Sequence, residues 1–136
     1  IVFAKQNDTT VGSIQTDGSN TSFNTSSDYR LKENVIDLTN AIDRIKTLQP
    51  KRFNFKDNPN KTQDGFIAHE VTAVPEAVTG EKDATKTYTN DNGNEETIIL
   101  PQQLDQSKLI PLLTSALQEA ITKIETLETK VAALEG

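Results

Sequence analysis

The sequence predicts an α+β fold made of a short β-stalk, a small helix/strand domain with a protruding β-hairpin, and a C-terminal coiled-coil helix. Three observations support this prediction. Short apolar pieces separated by polar turns occupy residues 1–26, helix-like and strand-like periods alternate over residues 27–112, and a heptad repeat runs through residues 113–136. We take these three ranges as the domains of the chain.

The composition limits the classes of function. Of the 136 residues, 34% are hydrophobic and 5% aromatic, which is poor in large core-filling side chains, so we expect much of the burial to lie between chains. A net charge of -6 without a basic run argues against nucleic acid and anionic membranes as partners. There is no Cys for a disulfide or a thiolate metal site, and no segment has the pattern of a membrane span or a signal peptide. Residue 1 is Ile rather than Met, so we expect a piece of a longer protein.

Residues 1–26 are rich in Ser, Thr, Asn and Gly. Their apolar pieces at 1–4 and 11–14 predict short strands, and Asp17-Gly18 is the clearest turn signal. Strands of this length cannot bury a core by themselves. The composition is also typical of a flexible leader.

A helical period begins at Leu31. Its apolar face consists of Val35, Leu38, Ala41, Ile42, Ile45 and Leu48. The helix should end by Gln49, because Pro50 cannot donate the next hydrogen bond and restricts the residue before it.

Residues 51–56 alternate polar and apolar side chains, which predicts a strand. Phe53 and Phe55 should point inward, and a turn should follow at residues 57–60. Two further short elements are expected: a β segment at 65–68 and a helical turn at 70–74 that ends at Pro75.

Residues 86–100 predict a β-hairpin. Two β-prone runs flank Asp91-Asn92-Gly93, and Asn-Gly supplies the positive φ values of a tight turn. The surrounding region, 81–105, holds six acids and two bases, so the hairpin should project into solvent. An ordinary solvated hairpin and a functional arm fit this pattern equally well.

The last segment contains a heptad seam, in which apolar residues recur at alternating spacings of four and three. The seam consists of Leu113, Leu117, Ala120, Ile124, Leu127, Val131 and Leu134. Two Lys-Glu pairs, Lys123 with Glu128 and Lys130 with Glu135, stand where parallel neighbouring helices exchange charges. The pattern predicts self-association. β-branched residues at the first core position with Leu at the second favour dimers, whereas Ile121 broadens the apolar face and favours more chains.

Three motifs occur along the chain in a particular order. The first, Ser27-Asp28-Tyr29-Arg30-Leu31-Lys32-Glu33-Asn34-Val35, places a hydroxyl and an amine five residues apart. The second is Gly65-Phe66-Ile67-Ala68-His69-Glu70-Val71, and the third is Asp105-Gln106-Ser107-Lys108-Leu109-Ile110-Pro111-Leu112-Leu113. Together they resemble the C-terminal intramolecular chaperone domains of phage tailspikes, tail fibres, neck appendages and endosialidases. The resemblance covers roughly residues 27–136.

The resemblance implies a homotrimer that helps the upstream fibre segment of its own chain to fold. It implies autoproteolysis between Ser26 and Ser27, which cuts the domain off its fibre. Residues 1–26 would then be the end of a fibre shaft, either a β-stalk or a triple β-helix, and the seam a parallel trimer. Folding would take place in the host cytoplasm during phage assembly, with the mature fibre on the virion and the chaperone released. The hairpin would be an arm that contacts the folding fibre.

The same resemblance assigns catalysis to Ser27 and Lys32. A Ser hydroxyl attacks a carbonyl only when a base takes its proton, and a Lys amine acts as that base only when burial or a nearby cation lowers its pKa. Read without the resemblance, Ser27 or Asp28 would cap a helix and Lys32 would be solvated. The resemblance favours attack of Ser27 on the Ser26 carbonyl, either by an N-to-O acyl shift or in a direct hydrolysis.

Four further residues have supporting roles in this reading. His69, the only His, stands in the second motif and would orient Ser27, donate to the oxyanion or deliver water, although a lone His is more often structural. Asp28, Arg30 and Glu70 would form ion pairs that hold the Ser27 loop. No pattern indicates a metal, a nucleotide or another cofactor.

Two other functions remain open from the sequence. One is a permanent structural trimer tip that never cuts, or that contacts the host surface through its hairpin. The other is a self-cleaving anchor on a membrane-associated transcription regulator, where such a domain also occurs.

Overall fold

The computed structural model describes all 136 residues and divides them into two compact units, Ile1–Asp37 and Leu38–Gly136. The first unit contains an antiparallel meander of three strands. They are β1 (Val2–Ala4), β2 (Thr10–Thr16) and β3 (Thr21–Thr25). The short strands predicted for this region are confirmed.

The turn between β2 and β3 is the one that the Asp17-Gly18 signal predicts. Asp17 Oδ1 accepts hydrogen bonds from the backbone N–H groups of Ser19 and Asn20 at 2.9 and 2.7 Å. The bonds from Asn20 and then Ser19 lower the pKa of the Asp17 carboxyl. Gly18 has a φ of 94°, which a residue with a side chain would adopt only under strain. The turn is therefore encoded locally.

The long first helix predicted from apolar spacing is wrong over most of its length. Helix α1 spans only Ala41–Ile45. Asn34 and Asn40 have φ values of 52° and 56°, and such left-handed backbone interrupts an α-helix. Val35, which was expected on the buried face, is consequently 79% exposed. In the later half of the predicted face, Ala41 is completely inaccessible to solvent, and Ile42, Ile45 and Leu48 pack against the core while partly buried.

The next two strands form an antiparallel hairpin, β4 (Lys51–Phe55) and β5 (Asn58–Gly65). The strand predicted at 51–56 is confirmed, but the turn predicted at 57–60 is wrong because β5 already begins at Asn58. Pro59 is accommodated within β5 because the sheet has only two strands and leaves an edge where no N–H is needed.

The two aromatic residues of β4 are not both inward. Phe53 is half-buried, whereas Phe55 is 58% exposed. An irregularity in the strand register between Asn54 and Phe55 turns the end of β4, and the two rings meet edge to face with centroids 5.4 Å apart. The inward orientation predicted for Phe55 is therefore wrong.

Two short elements also differ from expectation. The β segment predicted at 65–68 is wrong, because β5 ends at Gly65 and a 3-10 helix follows at Ala68–Glu70. The helical turn predicted at 70–74 does not end at its proline. Instead the proline begins the 3-10 helix Pro75–Ala77, since Pro is tolerated at the first helical position.

The predicted hairpin arm is confirmed as β7 (Thr85–Thr89) paired with β8 (Glu95–Ile99). Asn90 Oδ1 organises its turn by accepting from the backbone N–H groups two and four residues further on, at 3.0 Å each. At the base of the arm, β6 (Val78–Thr79) pairs with β9 (Gln103–Leu104). The sequence does not predict this pairing, because strands of two residues carry no periodicity.

Helix α2 (Ile110–Glu135) follows a 3-10 helix at Gln106–Leu109 and packs its first turns on α1. The buried core consists of Ala41, Val71, Val74, Ala77, Leu109, Leu112 and Ala116. The heptad seam lies outside this core, with Leu117 and Leu127 exposed by 62% and 60%. The mixed helix and strand class is thus confirmed, and the coiled coil stays a prediction. No helix combines the length and the apolar character needed to cross a membrane.

We expect Leu112→Ala to lower the free energy of unfolding of the second unit by about 2 to 5 kcal/mol, because Leu112 is 2% exposed in a small core and its truncation leaves a cavity. Ile36→Ala removes the same number of carbon atoms from a side chain that is 88% exposed, and it should have little effect. Urea denaturation followed by far-UV circular dichroism measures both. Equal losses in the two variants would contradict this description of the core.

Candidate active site

A tight turn follows the first sheet directly. The Asp28 side chain caps a 3-10 helix at Tyr29–Leu31, and its Oδ1 accepts from the backbone N–H of Arg30 at 2.9 Å. The backbone N–H of Lys32 donates to the carbonyl of Tyr29 at 3.1 Å and closes the turn. The chain therefore folds back on itself within six residues, starting at Ser27.

This turn brings the Ser27 hydroxyl and the Lys32 amine together. Lys32 Nζ donates to Ser27 Oγ at 2.7 Å, and both residues are exposed. A protonated amine donates in such a pair, whereas a neutral amine accepts the hydroxyl proton. The arrangement thus places a hydroxyl and an amine within hydrogen-bonding distance, and their roles as nucleophile and base stay predictions.

Ser26, the residue before Ser27, is held by the first sheet. The backbone N–H of Ser26 donates to the carbonyl of Val11, in β2, at 2.9 Å. The peptide bond between Ser26 and Ser27 therefore lies between the sheet and the turn. Sequence reasoning missed Val11, because a backbone carbonyl carries no residue signature.

Asp28 and Arg30 form a bidentate ion pair across the turn. Arg30 Nε donates to Asp28 Oδ1 at 3.0 Å, and Nη2 donates to Oδ2 at 2.6 Å. These side-chain bonds, together with the backbone N–H of Arg30, lower the pKa of the Asp28 carboxyl, so the pair is charged at neutral pH. Because the Arg30 side chain is 73% exposed, its contribution is mainly to the shape of the turn.

The remaining predicted site residues lie in the second unit. Glu70 pairs with Lys51 at 3.6 Å, and its Oε2 is buried without a hydrogen-bond partner. His69 is exposed and borders an open groove of about 570 Å³ that Phe53 and Gln106 also line. The supporting roles of His69 and Glu70 in cleavage stay predictions. No group of His, Cys, Asp and Glu has an arrangement suited to a metal ion.

Residues 27–79 match the family model of the chaperone of endosialidase, Peptidase_S74. The match begins at Ser27 and includes the first two motifs, while the third motif at 105–113 lies beyond it. This match confirms the resemblance to the C-terminal intramolecular chaperone domains of phage fibre proteins. The match supports a chaperone role and association with an upstream fibre protein. No curated protein matches the chain.

Proposed function

We propose that this domain trimerises, assists the folding of an upstream phage fibre or spike, and then releases itself by autoproteolysis between Ser26 and Ser27. The hydrogen bond of 2.7 Å between Lys32 Nζ and Ser27 Oγ carries the proposal. It lies at the residue where the family match begins. The peptidase name of the family agrees with a self-cutting role.

In the proposed reaction, neutral Lys32 removes the proton of Ser27 Oγ, which attacks the carbonyl carbon of Ser26. A bond from Oγ to this carbon forms, and the bond from the carbon to the Ser27 nitrogen breaks. Lys32 returns the proton to the leaving amine. Water then hydrolyses the ester, leaving a carboxylate on Ser26 and restoring the hydroxyl of Ser27. Direct attack by water on the same carbonyl is the alternative route.

Two contacts suit the peptide bond to this reaction. The Val11 carbonyl holds the amide of Ser26 on the sheet side, and the turn capped by Asp28 presents the Ser27 hydroxyl on the other. Holding both reacting groups reduces the entropy that must be lost on the way to the transition state.

Assembly of three chains would supply the burial that Lys32 lacks in a single chain. Lys32 is exposed, whereas a lysine that acts as a base needs burial or a nearby cation. We propose that neighbouring chains of the trimer bury the pair. Exposed apolar side chains are consistent with such neighbours, both along the heptad seam and in the first sheet, where Phe23 is 78% exposed. The sheet would then be the end of a β-stalk or triple β-helix.

Release makes assembly irreversible. A fibre that has lost its trimerising domain has no route back to registered, unfolded chains, so it is trapped kinetically. The proposal places the chaperone in the host cytoplasm during assembly and the mature fibre on the virion.

Denaturing electrophoresis of the assembled protein separates the proposal from its main alternative, a permanent trimer tip that contacts the host surface. Two pieces, residues 1–26 and 27–136, support self-cleavage, and one uncut chain supports the tip. Hydroxylamine added during folding distinguishes the two routes, because it converts an ester at Ser26 to a hydroxamate. Water alone attacking the amide would leave only the carboxylate.

Replacing residues 86–100 with a short Gly-Ser loop should spare trimerisation and lower the yield of folded upstream fibre. The arm lies outside the core and the seam, and every residue of β7 and β8 is exposed. The pairing of β6 with β9 at its base lies outside the replaced residues and should persist. Yields of folded fibre from the complete protein, with and without the arm, provide the measurement. Equal yields would make the arm an ordinary surface hairpin.

A further inference from the structure

The groove that His69 borders lies wholly within the second unit. Its volume of about 570 Å³ falls within the range of roughly 300 to 1,000 Å³ that ligand sites occupy. The floor is one face of the β4–β5 hairpin, where Phe53 and Phe55 meet edge to face. The Phe53 ring lies over Gly65, and a Cβ placed on Gly65 would be 3.2 Å from its Cε1 atom. The floor therefore consists largely of two aromatic rings, and the Phe55 ring is 58% exposed.

One wall of the groove is extended backbone with free hydrogen-bonding groups. Phe66 and Ile67 follow β5 directly, and Ile67 is extended with φ of −87° and ψ of 123°. Their two amide N–H groups and the Phe66 carbonyl make no hydrogen bond within the protein. On the β4 side the pairing ends at Lys51, and Pro50 before it has no N–H to donate. The wall is thus a short strand edge that another extended chain can pair with.

Side-chain amides line much of the remaining groove, and the lining carries little net charge. Gln63 in β5 and Gln106 in the 3-10 helix before α2 make no side-chain hydrogen bond. A side-chain amide carries the same donor and acceptor as a peptide unit, so it can bind one. Asp64, the only acid in the lining, binds Arg52 through hydrogen bonds of 2.7 and 2.9 Å. Apart from His69 no basic side chain lines the groove.

We propose that this groove binds one extended strand of the unfolded fibre chain during assembly. The occupant is an uncharged polypeptide in which one apolar residue stands among small polar ones. Residues 19–26 of this chain have that composition, since they carry no charge and Phe23 stands between Ser22 and Asn24. The Phe23 ring packs on the aromatic floor, and the backbone pairs with the strand edge and the side-chain amides. This inference rests on the proposed function and identifies the client that the chaperone holds.

Recognition through the backbone suits a folding chaperone. The strands of a fibre differ in sequence, but all of them present the same amide N–H and C=O groups. In the first unit residues 21–25 pair with β2, so the groove binds such a segment only before its own sheet forms. The strand leaves the groove when it pairs with another fibre strand, because both partners use the same backbone groups. Until then the groove keeps an unpaired edge from associating with the wrong chain.

The first test measures binding of a capped, fluorescent peptide of residues 19–26 to the complete chain. The chain carries Ser27→Ala, so that no released fragment competes with the peptide. Fluorescence anisotropy should show saturable binding, and the peptide with Phe23→Ala should bind at least about tenfold more weakly, because a buried ring is lost. In the protein, Phe55→Ala should also weaken binding several-fold. Phe3→Ala, which removes a ring that is 52% exposed outside the groove, should bind normally.

Two N-methylated peptides test the strand pairing itself. Neighbouring amides of a strand point to opposite edges, so methyl groups on the amides of Ser22 and Asn24 block one edge, and methyl groups on Phe23 and Thr25 block the other. One of these peptides should bind at least about tenfold more weakly than the unmodified peptide, and the other should bind equally well. Equal losses for both peptides would overturn the backbone pairing.

The location of the bound peptide is measured by the nuclear magnetic resonance shifts of the Phe66 and Ile67 amides. Shifts confined to other amides would overturn the groove as the site. If maltohexaose shifts these two amides and the peptide does not, the groove binds a neutral sugar and the proposal is wrong.

The client role is tested separately through the yield of folded upstream fibre from the complete protein. Phe55→Ala should lower this yield, whereas Ile36→Ala, at an exposed side chain outside the groove, should not. Equal yields would overturn the client role. A chain that cuts itself but does not bind the peptide contradicts only the groove assignment. A chain that binds the peptide and never cuts supports the groove and contradicts the proposed release.

Discussion

Ser27→Ala should abolish cleavage and leave an uncut, trimeric chain. The substitution removes one hydroxyl from an exposed turn whose shape depends on Asp28 and Arg30, so the fold should be unchanged. Without the oxygen that attacks the Ser26 carbonyl, the rate should fall by several orders of magnitude. Denaturing gels over several days measure the appearance of residues 27–136. If the Ala variant still yields this piece, Ser27 is not the nucleophile.

Lys32→Arg should be equally inactive, although it keeps the positive charge. A guanidinium stays protonated at any pH the protein tolerates and cannot accept the hydroxyl proton. Lys46→Arg, at an exposed lysine that pairs with Asp43, is the matched control and should cleave normally. Normal cleavage by the Lys32 variant would leave a strain-driven or His69-assisted mechanism.

Placing Asp at both Ile124 and Leu127 should give an uncut monomer. These side chains are 54% and 60% exposed and make no contribution to the core, so the fold of one chain should survive while the seam is lost. Lys32 then stays solvated and does not act as a base, even though the catalytic pair is complete. Sedimentation combined with a cleavage time course measures both effects.

The matched control places the same two charges at Thr122 and Thr129, which occupy the heptad position farthest from the seam. This variant should remain trimeric and cut. Truncation after Ser115 is less informative, because it also removes the buried Ala116 and Glu119, whose carboxylate caps α1 by accepting from its first two amides. Efficient cutting by a variant shown to be monomeric would mean that the active site is complete within one chain.

The sequence predicts best the features that are encoded locally. The turn at Asp17-Gly18 and the hairpin arm each depend on Asn, Asp or Gly within a few positions, and both are found. The first helix is wrong because apolar spacing alone does not reveal that Asn34 and Asn40 adopt left-handed backbone. The left-handed backbone at these two residues interrupts the helical pattern, and burial in the core begins only at Ala41.

The candidate site likewise combines a local contact that the sequence predicts with a distant contact that it does not. The five-residue spacing of Ser27 and Lys32 predicts their proximity, although a 3-10 turn rather than the start of a long helix brings them together. The contact that holds Ser26 is not local, because the Val11 carbonyl depends on the register of a sheet. The cap of α1 is not local either, since Glu119 reaches amides 77 and 78 positions away. No pattern within a single segment marks either of them.

Intact mass spectrometry of the freshly folded trimer, followed over time, tests the central claim most directly. The account predicts that the mass of the 136-residue chain gives way to two masses. One is residues 1–26 with a free carboxyl on Ser26, and the other is residues 27–136 with a free amino group on Ser27. A trimer that keeps the full mass indefinitely, or a cut at any other bond, would contradict it.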